Sequence, residues 1–356
     1  MKYLLVVGAI ALTIVCWGIY GPVLHWGQEA MNGGQLLPFL FVGVAYFLIG
    51  VAVPVALLNA YGEKGQWTTG GTFWSLLAGA AGAIGALGII VAFGYSGQPI
   101  YVMPLVFGGA PIVNSFLTVY MGRAMKSIGP VFLAGLIMVL IGSVTVLISK
   151  PEAAAAAAHG TPEGPTFQQW VWIFAAVATT IIFWGMYGPV LHKGQVKMGG
   201  SRLRPLICVG LAYFAIAVAV PAIMLTARNE WGAFTVPGSF WSLAAGAAGA
   251  LGALGIIMAF NFGGKPVFVM PLVFAGAPVV NTLTTITARS QFGQIGPLFY
   301  AGLIIVAAGA AIVLVFAPKG AAPPAEVTHP PDRESEVKPE TERVSEAETG
   351  ATESDA

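Results

Sequence analysis

The sequence predicts an all-α integral membrane protein: ten transmembrane helices, arranged as two five-helix inverted-topology repeats, followed by a disordered C-terminal tail. Three observations carry that expectation. Of the 356 residues, 57% are hydrophobic and only 9% charged, with a mean hydropathy of +0.81, whereas a soluble domain carries roughly 25% charged residues. Apolar runs long enough to cross a ~30 Å hydrocarbon core recur along the chain. The first half of the sequence also returns in the second at a constant offset of 167 residues. So few charges cannot solvate the surface of a water-soluble protein of this size, which argues against soluble enzymes and nucleic-acid binders.

In chain order, the apolar runs predict spans at about 3–24, 36–59, 73–95, 100–121, 129–149, 171–191, 205–226, 240–262, 267–288 and 297–317. The opening MKYLLVVGAIALTIVCWG resembles a signal peptide but has no small-residue cleavage site, so it is expected to be retained as the first span. It also has a counterpart mid-chain: WGIYGPVLHWGQ (17–28) returns as WGMYGPVLHKGQ (184–195). FWSLLAGAAGAIGALGIIVAF (73–93) returns as FWSLAAGAAGALGALGIIMAF (240–260), and VMPLVFGGAPIVN (102–114) as VMPLVFAGAPVVN (269–281). The expected domains are a first repeat (1–149), a low-complexity connector (150–170), a second repeat (171–318) and the tail (319–356). That tail is rich in Pro, Glu, Ser and Thr and carries a balance of −6, against +7 for residues 1–318. It cannot bury enough apolar surface to offset its ordering entropy, so disorder is expected. It reads as a cytoplasmic solubilising tail or a partner-recruiting one. Cys16 and Cys208 lie inside apolar runs and read as packing residues.

An odd number of spans per repeat makes the second unit enter the membrane from the opposite side. The Lys/Arg bias of short loops then sets orientation. One face collects Lys2, Lys64, Arg123, Lys126, Lys193, Lys197, Arg202, Arg204, Lys265 and Lys319, while the other has Lys150, Arg228 and Arg289. Ten against three places both termini in the cytoplasm of a bacterial inner (plasma) membrane.

Within the spans, special residues occur in repeat-related pairs. The first and sixth carry Trp17, Tyr20 and Pro22, mirrored by Trp184, Tyr187 and Pro189. These aromatics could stack on a substrate or anchor the helices at the interface, as read for Trp26, Trp74 and Trp241. On the fourth span Pro104, Pro111, Asn114, Ser115 and Thr118 share a face; Pro271, Pro278, Asn281, Thr282 and Thr285 do so on the ninth. An interior proline frees a carbonyl, and freed backbone at membrane depth needs protein or a wet cavity to satisfy it. That face is therefore a candidate substrate wall, with Pro22, Pro111, Pro189 and Pro278 as hinges or kinks. The competing reading is interhelical hydrogen bonding without a ligand. His25 and His192 follow GPVL at the predicted span ends and are candidates for a gate or for coupling a proton, or else are capping residues. Glycines every third residue from Gly79 to Gly88 and from Gly246 to Gly255 suit close helix packing. Histidines on opposite faces cannot share a metal, and neither a metal nor any other cofactor is expected.

Ten short spans, the five-plus-five duplication, Trp17-Gly18 and Trp184-Gly185, a Gly-rich third span and a Pro-containing fourth resemble the drug/metabolite transporter superfamily. The resemblance is to its ten-helix EamA-like and glucose/rhamnose-type sugar porters, and covers roughly residues 1–318. It implies a site between the halves lined by spans 1, 3, 4, 6, 8 and 9, with spans 5 and 10 peripheral and able to mediate a homodimer. The small drug exporters of that superfamily use a membrane-embedded glutamate, and here no Asp or Glu falls within a predicted span.

A pocket of Asn, Ser, Thr, Tyr and Trp favours a neutral, hydroxyl-rich or zwitterionic solute. The leading expectation is an alternating-access secondary carrier of a small neutral polar metabolite, a sugar first, driven by a proton or sodium gradient or by the solute gradient itself. The alternatives are an exporter of amino acids or amphipathic organic metabolites, and a non-transporting scaffold or sensor acting through its acidic tail. No nucleophile–base pair suggests an enzyme. The expected partners are the lipid bilayer and the solute, not nucleic acid.

Overall fold

The computed structural model describes residues 2–122, 128–149, 165–289 and 295–316, and within them the chain is helical throughout. Contacts divide the chain into two units, Met1–Gly320 and Ala321–Ala356. The expected disordered tail and most of the connector lie outside the described residues.

Eight helices are long and apolar enough to cross a membrane, which makes this a multi-pass integral membrane protein. In chain order they are α1 (Lys2–Glu29), α2 (Leu36–Tyr61), α3 (Thr69–Gly94), α4 (Pro99–Met121), α6 (Phe167–Lys197), α7 (Leu203–Arg228), α8 (Val236–Asn261) and α9 (Pro266–Arg289). Two shorter apolar helices, α5 (Pro130–Ile148) and α10 (Pro297–Val315), pack against each other through Gly142 and Gly302.

Local chemistry sets the boundaries. Thr68 and Thr235 cap α3 and α8 by accepting from the N–H of Gly71 and Gly238, at 3.0 and 3.1 Å. Thr166 and Gln169 form a capping box at the start of α6. Helix therefore begins at Phe167, inside the stretch expected to be connector. Helices α1 and α6 also outrun their predicted ends, because Gln28 and Gln195 bury their amides against the carbonyls of Ile90 and Ile257. His25 and His192 consequently lie within helices rather than at their ends. Tight left-handed turns at Asn32-Gly33 and Gly199-Gly200 lead into α2 and α7.

Helices α2 and α7 each contain one widened turn, at Leu48–Ala52 and Phe214–Ala219. The N–H groups of Val53 and Val220 reach back five residues, to the carbonyls of Leu48 and Ala215. Pro54 and Pro221 follow immediately and cannot make the ordinary bond four residues back.

The glycine-rich helices pack across the duplication. Gly85 of α3 lies against the Trp184 indole of α6, and Gly252 of α8 against the Trp17 indole of α1. One turn away, Thr180 donates to Gly85 O at 2.9 Å and Thr13 to Gly252 O at 3.1 Å. A side chain at either glycine would collide with an indole ring, so the backbones approach only because these positions are glycine.

Candidate functional site

Aromatic rings from four helices converge between the halves. Trp17 and Trp184 stack with centroids 6.0 Å apart. Tyr187 meets Trp17 edge-on at 5.9 Å, and Tyr20 meets Trp184 at 6.0 Å. Phe107 and Phe274 approach to 6.1 Å and flank the indoles. Each indole is oriented by its own N–H: Trp17 donates to Gly249 O and Trp184 to Gly82 O, both at 3.2 Å. Tyr46 and Tyr213, from α2 and α7, stack face to face at 3.6 Å.

These rings and Gly82 and Gly249 enclose a cavity of about 20 Å³, room for one water-sized group. The buried hydroxyls of Tyr20 and Tyr187 have no protein partner. Each such group costs about 1–3 kcal/mol unless something polar meets it. The layer thus combines flat apolar faces, unpaired hydroxyls and no charge.

The asparagines do not join this layer. Asn114 Nδ2 donates to Pro266 O at 3.2 Å, and Asn281 Nδ2 to Pro99 O at 3.0 Å. Helices α4 and α9 therefore run antiparallel, and the two amides sit roughly 22 Å apart along the helix, at 1.5 Å per residue. Each amide ties its helix to the start of the opposite one. Ser115, Thr118 and Thr282 have buried hydroxyls without partners, while Thr285 donates to Asn281 O at 2.9 Å. Pro22, Pro111, Pro189 and Pro278 are buried inside helices that continue through them.

The two ends of this layer differ. At one, His25 is 5% exposed, packs edge-on to Phe93 and lies 3.3 Å from the Glu29 carboxylate. At the other, His192 packs on Phe260 but is only half-buried, and borders a vestibule of about 500 Å³ between α4, α6 and α9. Thr118, Lys193, Lys197 and Lys265 also line it. Lys193 Nζ stands 3.8 Å above the Trp74 ring, where the equivalent pair at the other end is Trp26 on Trp241, at 5.1 Å.

No protein-family model matches this chain, and no curated protein matches it in sequence. A solved crystal structure does share its fold: it covers 85% of this chain and 97% of its own, with a TM-score of 0.52 and 20% identity. At that identity the likeness is one of fold alone.

The structure brings Trp17, Tyr20, Trp184 and Tyr187 together, and leaves Asn114 and Asn281 apart from them. The sequence reading did not single out Tyr46 and Tyr213. Their signal was available, since VGVAYF (42–47) returns as VGLAYF (209–214) at the same 167-residue offset.

Proposed function

We propose that this protein is a secondary carrier that works by alternating access. In this reading ten helices span the membrane as two inverted five-helix repeats, with both termini in the cytoplasm, and the His192 vestibule opens inward. The observation that carries the reading is the pairing of one central aromatic layer with two repeat-related ends, one open and one covered. Exchanging the conformations of the two repeats would open the His25 end and cover the His192 end. The solute is a small neutral polar metabolite, a sugar first: indole faces stack on a sugar's apolar face, and the Tyr20 and Tyr187 hydroxyls meet its hydroxyls. A second reading, amino acids or amphipathic organic metabolites, is favoured by the three lysines of the vestibule.

The test is counterflow of labelled sugars and amino acids into vesicles containing the purified protein. Accumulation of a sugar that is lost in both Trp17→Ala and Trp184→Ala supports the reading. Accumulation of none of them, or transport indifferent to both substitutions, removes it.

A further inference from the structure

The vestibule differs from its counterpart in charge as well as in openness. At the His25 end the chain supplies its own carboxylate, Glu29, four residues beyond the histidine and 3.3 Å from Nδ1. The equivalent residue at the His192 end is Val196, so no carboxylate stands four residues beyond this histidine, while Nδ1 is buried without a hydrogen-bond partner in both histidines. Where the His25 end has Trp26, Ala30 and Gln98, the His192 end has Lys193, Lys197 and Lys265.

All three lysines line the same space of about 500 Å³, and among the described residues no carboxylate pairs with any of them. Lys193 is held in place by the Trp74 ring beneath its ammonium, which lowers the entropy lost on pairing with an anion. The remaining wall is apolar, from Val119, Met121, Pro266 and Val267. Cationic heads above an apolar wall complement a molecule with one anionic head and a short apolar body.

We propose that the vestibule binds a small organic carboxylate, its head held by Lys193 and Lys265 beside His192, where the other end of the protein uses Glu29. The proposal rests on the carrier reading only for the vestibule's role as an entrance. Binding is measured in detergent solution and transport in vesicles, so either reading can fail alone.

The experiment is calorimetric titration of the purified full chain in a neutral maltoside micelle with phenylacetate and hexanoate, each against its amide. Saturable binding of the acids is expected, with the amides at least about tenfold weaker. Lys193→Gln and Lys265→Gln should each weaken acid binding by about fivefold to tenfold. Arg228→Gln, which removes the same charge at the other end, should leave it unchanged. Equal affinity for acid and amide, indifference to both lysine substitutions, or no binding of either acid would overturn the proposal. So would lysine-dependent binding of dihexanoyl phosphatidylglycerol alone, since the lysines would then be a lipid-headgroup contact.

Discussion

The loops at the two ends of the molecule descend from one duplicated segment and have come to close differently. At the His192 end, Glu63 lies between α2 and α3 with its side chain only 5% exposed. Its carboxylate accepts from the Ser201 hydroxyl, from the N–H groups of Arg202 and Leu203 at 2.8 and 3.1 Å, and from Arg202 Nε at 3.0 Å. Arg204 adds a contact to the carboxylate at 3.8 Å and donates to the Lys64 carbonyl. At the His25 end the equivalent acid, Glu230, is exposed beside a groove of about 540 Å³. Its would-be partners Ser201, Arg202 and Arg204 are replaced there by Gly34, Gln35 and Leu37. One simpler strap survives at both ends: Thr68 donates to Lys197 O at 3.0 Å, and Thr235 to Ala30 O at 2.8 Å.

The difference separates what the fold needs from what one end has added. Straps that read main-chain atoms survive sequence divergence, because every residue keeps its carbonyl. The carboxylate clamp needs particular side chains and exists once. It stands at the end where His192 borders the vestibule, whereas at the end without it His25 is covered and the groove lies beside the loops. The clamp holds the loop between α2 and α3 to the start of α7.

Breaking the clamp should give the largest effect. Glu63→Ala removes the acceptor of the Ser201, Arg202 and Leu203 bonds and the carboxylate facing Arg204, whose side chain is only 11% exposed, and should cost about 3 kcal/mol. Glu230→Ala should cost less than about 0.5 kcal/mol, as an exposed site. Thermal melting in detergent reads both, and equal losses would erase the distinction between the ends. Burial alone would push the Glu63 carboxyl up, but the bonds from Ser201, Arg202 and Leu203 outweigh it and hold it below the usual carboxylate range. The sign follows: the clamp's contribution is fully present above the unfolded-state value of about 4.3 and is lost as pH falls through the lower folded-state value. Glu63→Gln should flatten that acid limb.

Overpacking should come next, and should be the same in both halves. Gly85→Val and Gly252→Val each drive a branched side chain into an indole, Trp184 or Trp17, at a cost of about 2–3 kcal/mol. Gly8→Val, on an open face of α1, meets nothing within 4 Å and should be near neutral. A mild effect at Gly252 alone would mean that α1 and α8 can part more readily than α3 and α6.

Asn114→Leu and Asn281→Leu should follow, each losing one buried hydrogen bond to a proline carbonyl, worth about 1–1.5 kcal/mol. Stability should fall while solute affinity holds. A drop in affinity with unchanged melting would return the asparagines to the substrate wall.

These asparagines also show what the sequence could and could not disclose. Composition and apolar runs were enough for an all-helical membrane protein, because each observation is local to its own segment. Helical spacing likewise identified Asn114 as sharing a face with Pro111 and Thr118. It could not say what that face meets, since antiparallel packing sets residue 114 beside 266 rather than beside 281. Tyr46 lies in a continuous apolar run, where a 3.6-residue period has no polar contrast, so only its repeat-related counterpart Tyr213 marks it. The Glu63 clamp joins loops about 140 residues apart, and no local pattern announces such a pairing. Trp17 and Trp184 were legible because their repeat-related surroundings, WGIYGP and WGMYGP, are nearly identical.

The smallest expected effect falls on that pair and asks whether the asymmetry of the ends reaches the centre. Trp17→Phe and Trp184→Phe keep an aromatic ring but remove the indole N–H, which donates at 3.2 Å in both cases, together with the indole's second ring. The accepting carbonyls of Gly249 and Gly82 lie inside helices, and each variant loses one hydrogen bond and leaves a similar cavity, so the small effect to read is the difference between the two. If the aromatic layer is a common fulcrum, the two variants should melt within about 0.5 kcal/mol of each other, the usual scatter for equivalent sites. A larger loss from Trp184→Phe would mean that the open vestibule has loosened the layer on its own side.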